Sequence, residues 1–459
     1  MEYRIEKDSM GEVQVPIDAL YGASTQRAVD NFPISQHRFS RHFIWALGLQ
    51  KGSSASVAVE MGFKDPEVAQ AIRTAADEVM EGAHDDQFVL DIFQTGSGTS
   101  TNTNANEVIA ARANQLLGDA TVHPNDDVNF GQSSNDVIPT AIHVAAVAAL
   151  RKDLLPALAS LAGSLEAKSD EFSEIVKSGR THLMDATPVT LGQEFGGYAT
   201  QIRNAQSRVE KVLPELELLA LGGTAVGTGI NAPDGFAPAV ISSMAERSGY
   251  PLGEATDHFE AQGSKDAVVM TSGVLRTIAV SLFKIANDIR FLGSGPTSGI
   301  AELRIPSLQP GSSIMPGKVN PVMSEMMMQV AAQVVGNDAA VGWGGANGNF
   351  ELNVMMPVMA HNTLESISLL SNACGTFATK CVDGLEANQE RARSLLERNA
   401  IIVTALNPHI GYDNGARIAK EAVATGRSVR DLVLDAGLMS ADELDEALDL
   451  KKMTEGGIR

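Results

Sequence analysis

The run GSSIMPGKVNP, Gly311 to Pro321, places two serine hydroxyls, two glycines and a lysine just ahead of an apolar stretch with helical spacing. It is not a phosphate-binding loop: five residues separate Gly311 from the Gly317-Lys318 pair, and Val319 stands where that motif needs Ser or Thr. Asn320 followed by Pro321 reads as an N-cap and a first helical residue, which puts Lys318 before the positive end of a helix. Backbone N–H groups, hydroxyls and an ammonium gathered in this way would hold a carboxylate. A solvated turn with an exposed lysine is the competing reading of the loop taken alone.

Three further polar stretches carry residues of the same kind. GRTHLMDATP, Gly179 to Pro188, sets Thr181 and His182 near Asp185. A lone histidine of this sort is more often structural than catalytic. HPNDDVNFGQSSND, His123 to Asp136, supplies His123, Pro124, Asn125 and Asp126, then Ser133, Ser134 and Asn135; TGSGTSTNTNANE, from Thr95, supplies Ser97, Gly98 and Thr99. Four neutral-polar, glycine-containing stretches suit a small anion bound by hydroxyls, amides and backbone N–H groups. There is no HExxH, and HPND offers only mixed weak ligands, so no metal or other cofactor is expected.

The elements that must position these stretches are helical. Apolar residues recur at three- and four-residue spacing from Phe43 to Ala83 and from Asn106 to Leu117. Longer periodic segments run from Asp136 to Ile175, with Pro156 interrupting it, and over Leu191 to Leu219, Ser264 to Phe291, Pro321 to Val341 and Met355 to Leu385. Five long helices make a bundle, with the methionines of EMMMQV in its packing. The first forty residues, with YGAST and NFPIS, read as loop and turn. The tail from Asn407 shifts to short charged helices, one capped by Ser440.

Composition narrows the partners. Lys and Arg number 35 against 56 Asp and Glu, a formal charge of −21, so nucleic acid and anionic membranes are excluded as natural partners. An anionic substrate must then be drawn in by a local device against the global field. Cys374 and Cys381 lack metal or redox spacing and read as buried apolar residues of a cytoplasmic protein. No apolar leader opens the chain, and no run approaches the ~20 apolar residues of a membrane span.

TGSGTSTNTNANEV, HPNDDVN, SSND, GRTHLMDATPVTLGQE, GSSIMPGKVNP and TALNPHIGYD together resemble the motifs of the fumarase/aspartase superfamily nearly end to end. Its members split a C–O or C–N bond and release fumarate. Aspartases of the family typically carry Gln at the position of His182 and Ala at that of Gly317, so both positions here follow the class II fumarases. The resemblance implies a mainly α, three-domain chain, divided near 1–136, 137–389 and 390–459. Its central long-helix bundle would form a twenty-helix core in a homotetramer, each active site shared by three subunits.

The implied activity is that of a hydro-lyase: reversible anti addition of water to fumarate, giving (S)-malate through a carbanion-like intermediate, as in the tricarboxylic acid cycle. The family assigns Ser312 the C3 proton, His182 the proton of the departing or attacking water, Glu325 the orientation of that imidazole and Lys318 a carboxylate; an alternative gives His182 the C3 proton through water. Substrate contacts fall by the same resemblance on Ser97, Gly98, Thr99, Ser133, Ser134, Asn135, Thr181, Ser313, Lys318, Val319 and Asn320. A second dicarboxylate site falls on His123, Pro124, Asn125 and Asp126, although a capped structural turn accounts for that motif equally well. The rival readings are an aspartate ammonia-lyase and a catalytically silent crystallin-like relative. Fumarate absorbance should rise with malate as substrate and stay flat with aspartate. Turnover of aspartate alone would reassign the subgroup, and turnover of neither would favour the silent relative.

Overall fold

The computed structural model describes residues 2–119 and 121–457. These residues are mainly α-helical, and their strands form only two-stranded pairs. The long periodic segments become the helices Leu191–Leu216, Asp266–Leu292, Val322–Gly345 and Met356–Lys380. The segment broken by Pro156 becomes Ser134–Ala149, a wide π turn at Leu150–Leu154, and Leu155–Glu171. Pro156 lacks an N–H, and it falls in the first turn after the π turn, where the backbone has already left regular i→i−4 bonding. Contrary to the expectation of no such run, Asp266–Leu292 is long and apolar enough to cross a membrane by length and composition.

The chain forms two compact units. One comprises Met1–Pro156, Ala205–Ala279 and Val330–Ser371; the other comprises Ala157–Asn204, Val280–Gln329 and Asn372–Arg459. In the first, the helices Arg41–Glu60, Pro66–Glu81, Thr99–Leu117 and Ser134–Ala149 bury Leu47, Ile72, Val108 and Ile138. The first forty residues depart from the loop expected of them. Tyr3–Asp8 pairs antiparallel with Gly11–Pro16, and Ala23–Asn31 is helical. The partner of that helix is remote in sequence: Glu107 accepts hydrogen bonds from the backbone N–H groups of Gly22, Ser24 and Thr25 at 2.8–3.2 Å, satisfying its free N-terminal donors. Three of the long helices are tied by polar contacts in the same unit. Ser272 and Arg276 bind Asp338 at 2.8 and 2.9 Å, and Asn337 binds Glu365 and Ser366 at 2.8 and 3.1 Å.

In the second unit, Leu396, Leu406, Ile418, Val433 and Leu444 form the core of the short C-terminal helices, where Ser440 and Glu443 complete the capping box. The same unit holds the hairpin Val176–Thr181/Met184–Thr190. Below it lies a buried ionic network. Lys177 Nζ is 2.8 Å from Glu194 and 3.2 Å from Glu302, while Arg180 grips Glu302 through two bonds of 2.9 Å. Asn399 adds bonds to Ser178 Oγ and the Ala186 carbonyl, one to each strand. Lys177 and Glu302 are almost fully withdrawn from water. Removing Glu302 would strand the Arg180 guanidinium and leave buried Lys177 with Glu194 alone, so Glu302→Ala is expected to destabilise the protein by about 3–5 kcal/mol. Denaturant midpoints read this, and a midpoint equal to that of the parent protein would show the network to be dispensable.

Candidate active site

In the first unit, Ser97 Oγ and Thr99 Oγ1 lie 2.7 Å apart across Gly98, which takes a left-handed φ of 72° at the start of Thr99–Leu117. The helix thus opens at Thr99 and not at Asn106, where the apolar spacing begins. Asn102, Asn104 and Asn106 are helical and buried, so tertiary surroundings override their weak helix propensity. Ser133 caps Ser134–Ala149. Its Oγ accepts from Asn135 N at 3.3 Å, and Asp136 accepts from its backbone N–H at 2.9 Å. Asn135 Nδ2 donates to the Ala225 carbonyl at 2.7 Å. The two stretches meet: Asn102 Nδ2 donates to Ser134 Oγ at 2.9 Å. Two helix N-termini with their hydroxyls thus converge, an arrangement suited to an anion.

Behind this turn stand residues that the sequence reading left out. Lys51 is fully buried and donates to Asn129 Oδ1 at 2.8 Å and to Gln132 Oε1 at 3.1 Å. Burial pushes its ammonium down to about 7, with the Asp136 charge opposing the shift. Burial likewise raises Asp136, against the N–H donors of Ser133, Thr224 and Gly222. A signal for Lys51 exists in the sequence, since it is the sole charged residue between His42 and Glu60.

His123, Pro124, Asn125 and Asp126 form a turn capped by the His123 side chain. His123 Nδ1 accepts from Asp126 N at 3.2 Å, and Lys64 donates to the Asp126 carbonyl at 2.7 Å. His123, Pro124 and Asn125 line a concavity of about 480 Å³ together with Glu6, Lys7, Asp8 and Glu107.

In the second unit, His182 and Leu183 form the two-residue hairpin turn with φ of 57° and 61°. Such a turn favours Asn-Gly; a histidine there is held in a conformation that costs about 1 kcal/mol or more, a cost that often marks a functional position. Thr181 and His182 are exposed, and among the described residues the His182 ring has no hydrogen-bond partner.

The Gly311–Pro321 loop is closed by Gly311 N donating to the Lys318 carbonyl at 2.8 Å. Asn320 differs from its expected role. Its Nδ2 bonds the Gly311 carbonyl at 2.7 Å, and the helix opens at Val322, so the side chain closes the loop rather than capping the helix. Within the loop, Ser312 Oγ accepts from Ile314 N at 3.3 Å and from Met315 N at 3.1 Å. Gly317 adopts a φ of 80°, a conformation that alanine enters only with strain. Ser313, Lys318 and Val319 are exposed, and Ser312, Gly317, Lys318 and Val319 line an open concavity of about 480 Å³. Glu325 is exposed on the first turn of Val322–Gly345; among the described residues no hydrogen bond or ion pair joins it to His182.

Residues 11–336 match the family model described as lyase, and residues 402–455 match that of the fumarase C C-terminus. A lyase is therefore the class that the fold and these loops define. The Mycobacterium tuberculosis protein named fumarate hydratase class II is 56% identical over 99% of this chain and 96% of its own. The class II fumarase of Schistosoma mansoni superposes with a TM-score of 0.96 at 36% identity, covering 99% of both chains. A Brucella melitensis structure described as fumarate lyase:delta crystallin bound to cobalt gives 0.94 at 43% identity, over 99% of this chain and 100% of that one. The chain belongs to the class II fumarate hydratase family.

Gly98 offers a test of the Ser97–Thr99 geometry. A Cβ there would require the left-handed region and would lie 2.9 Å from the Ile138 side chain. Gly98→Ala should lower stability by about 1–2 kcal/mol and raise KM for malate. An unchanged melting temperature with an unchanged KM would remove Gly98 from the site.

Proposed function

We propose that the chain catalyses the reversible hydration of fumarate to (S)-malate in the tricarboxylic acid cycle, with Ser312 and His182 as the proton-transfer pair. The observation that carries this reading is the pair of backbone N–H groups, from Ile314 and Met315, directed at Ser312 Oγ. A serine can take a weakly acidic proton only if its alkoxide is stabilised, and two fixed N–H donors supply that stabilisation without reorganisation.

In the dehydration direction, the Ser312 alkoxide takes the C3 proton to become the hydroxyl, and the electron pair of the broken C–H bond spreads onto the adjacent carboxylate. Lys318 and Asn320, with Ser313 and Val319 of the same loop, hold the dicarboxylate while this charge develops. The pair then returns to form the C2–C3 double bond as the C2–O bond breaks. His182 gives its proton to the departing hydroxide, since imidazole exchanges protons near neutral pH. Glu325 orients the ring, and Thr181 contacts substrate beside it. Ser97, Gly98, Thr99, Ser133, Ser134 and Asn135 bind the substrate through hydroxyl, amide and helix N-terminal donors. Acid and base act on opposite faces, which gives the anti stereochemistry. No step calls on a metal or other cofactor.

The same reading assembles each site from three copies of the chain in a cytoplasmic homotetramer. It is supported by the exposure of Thr181, His182, Lys318 and Glu325 in one copy. Apolar residues also lie exposed along two long helices, Val280 and Phe283 on one and Val335 and Trp343 on the other. A three-domain division at 136 and 389 goes with this assembly. A second dicarboxylate site at His123, Pro124, Asn125 and Asp126 rests on the concavity that the first three border, although Glu6, Asp8 and Glu107 on its wall oppose a dianion.

His182→Asn and Ser312→Ala should each lower kcat for malate by about 10²-fold or more, the scale of a lost acid or base. Lys318→Ala should lose on the order of 10²–10³-fold. Full activity in Ser312→Ala would remove it as the base.

A further inference from the structure

As an ammonium, lysine is a donor-only side chain, and Lys51 lies where that restriction propagates. Its Nζ faces Asn129 and Gln132, so both amides must turn their oxygens toward it. Asn129 then directs its Nδ2 at the Gln132 carbonyl, 3.1 Å away. Because Asn129 presents oxygen, Asn102 must present nitrogen to it, at 3.2 Å, and the same Nδ2 donates to Ser134 Oγ. With that lone pair taken, the Ser134 hydroxyl proton is left to point away from Asn102, as a donor.

We propose that Lys51 is a substrate-positioning residue which, through Asn129 and Asn102, fixes Ser134 as a hydrogen-bond donor and places a buried positive charge behind the carboxylate subsite of Ser133–Asn135. Lys51 does not touch substrate. It acts by polarity and charge, and both favour a carboxylate over a neutral group at this end of the ligand. The residues around it are otherwise neutral acceptors, with Asp136 the one carboxylate that opposes its charge. Asp136 is itself held by the backbone N–H groups of Ser133, Gly222 and Thr224, which leaves the ammonium the more effective charge toward the turn.

The inference rests on the assignment of the Ser133–Asn135 turn to substrate, and the test separates the two. Succinate and succinamate have the same shape, but succinamate can offer this subsite a neutral amide. Inhibition constants for both are measured at about pH 6, where Lys51 is an ammonium, on the full-length wild type, on Lys51→Met, which removes the charge, and on Gln132→Glu. The last leaves Lys51 and the Asn129–Asn102–Ser134 relay in place but sets a carboxylate on the ammonium. Succinate should weaken roughly tenfold in both variants, the scale of one neutralised buried charge, and succinamate less than about twofold. Equal weakening of both ligands, as a merely structural role would give, overturns the proposal, as does no change in either. Ser134→Ala and Asn135→Ala provide the control. If they leave KM for malate unchanged, the turn is not a substrate subsite and the proposal falls with it. If they raise KM while the succinate-to-succinamate ratio stays fixed in the other two variants, only the role of Lys51 fails.

Discussion

A dianion has to be held by a chain whose own formal charge is −21. Long-range attraction is therefore unavailable, and every favourable interaction must act at hydrogen-bond distance, where local geometry outweighs the screened field of the surface. The loops answer this with fixed donors. Ser312 Oγ faces two backbone N–H groups, Thr99 and Ser134 open helices whose first N–H groups are unpaired within the helix, and Lys318 ends a loop closed on its own backbone. Such donors carry little entropy to lose on binding, because the folded backbone already fixes them.

Fixing them falls to buried and half-buried polar groups rather than to apolar packing alone. Asp136 joins the Ser133 turn to the Gly222–Thr224 segment, Glu107 seats the first helix, and Glu302 holds Lys177 and Arg180 beneath the hairpin that ends in His182. Apolar side chains would tolerate small slides between elements, whereas these groups lose their partners if an element moves by an ångström. Burial of charge is thermodynamically expensive, which argues that precision at the loops, more than stability, is what these networks supply.

Much of this was legible. Helical spacing found the long helices to within a few residues, and the GSSIMPGKVNP loop announced itself through its hydroxyls, glycines and lysine. The failures have physical causes. The Asn and Thr residues after Thr99 lie ahead of the apolar spacing and have a weak helix preference in isolation, yet their burial makes the helix. The hairpin turn at His182–Leu183 lacks the Asn or Gly that signals such turns, since its strained backbone is held from below by the ionic network. Asn320 looked like a cap, but a better acceptor for its amide, the Gly311 carbonyl, lies across the loop where sequence spacing says nothing.

Lys51 shows a further limit. A lysine ordinarily reads as a solvent-facing residue, and only its isolation in an apolar helix hints otherwise. Other residues would fill the same space, but not with the same consequence. Glutamine could present either end of its amide to Asn129, so the orientation of Asn102 and the donor character of Ser134 would no longer be determined. Arginine would bring five donors to a site with two acceptors and leave several unsatisfied in a buried setting. Lysine alone combines a single point of charge with donors only, so one ammonium determines the direction of every hydrogen bond between itself and the Ser134 hydroxyl.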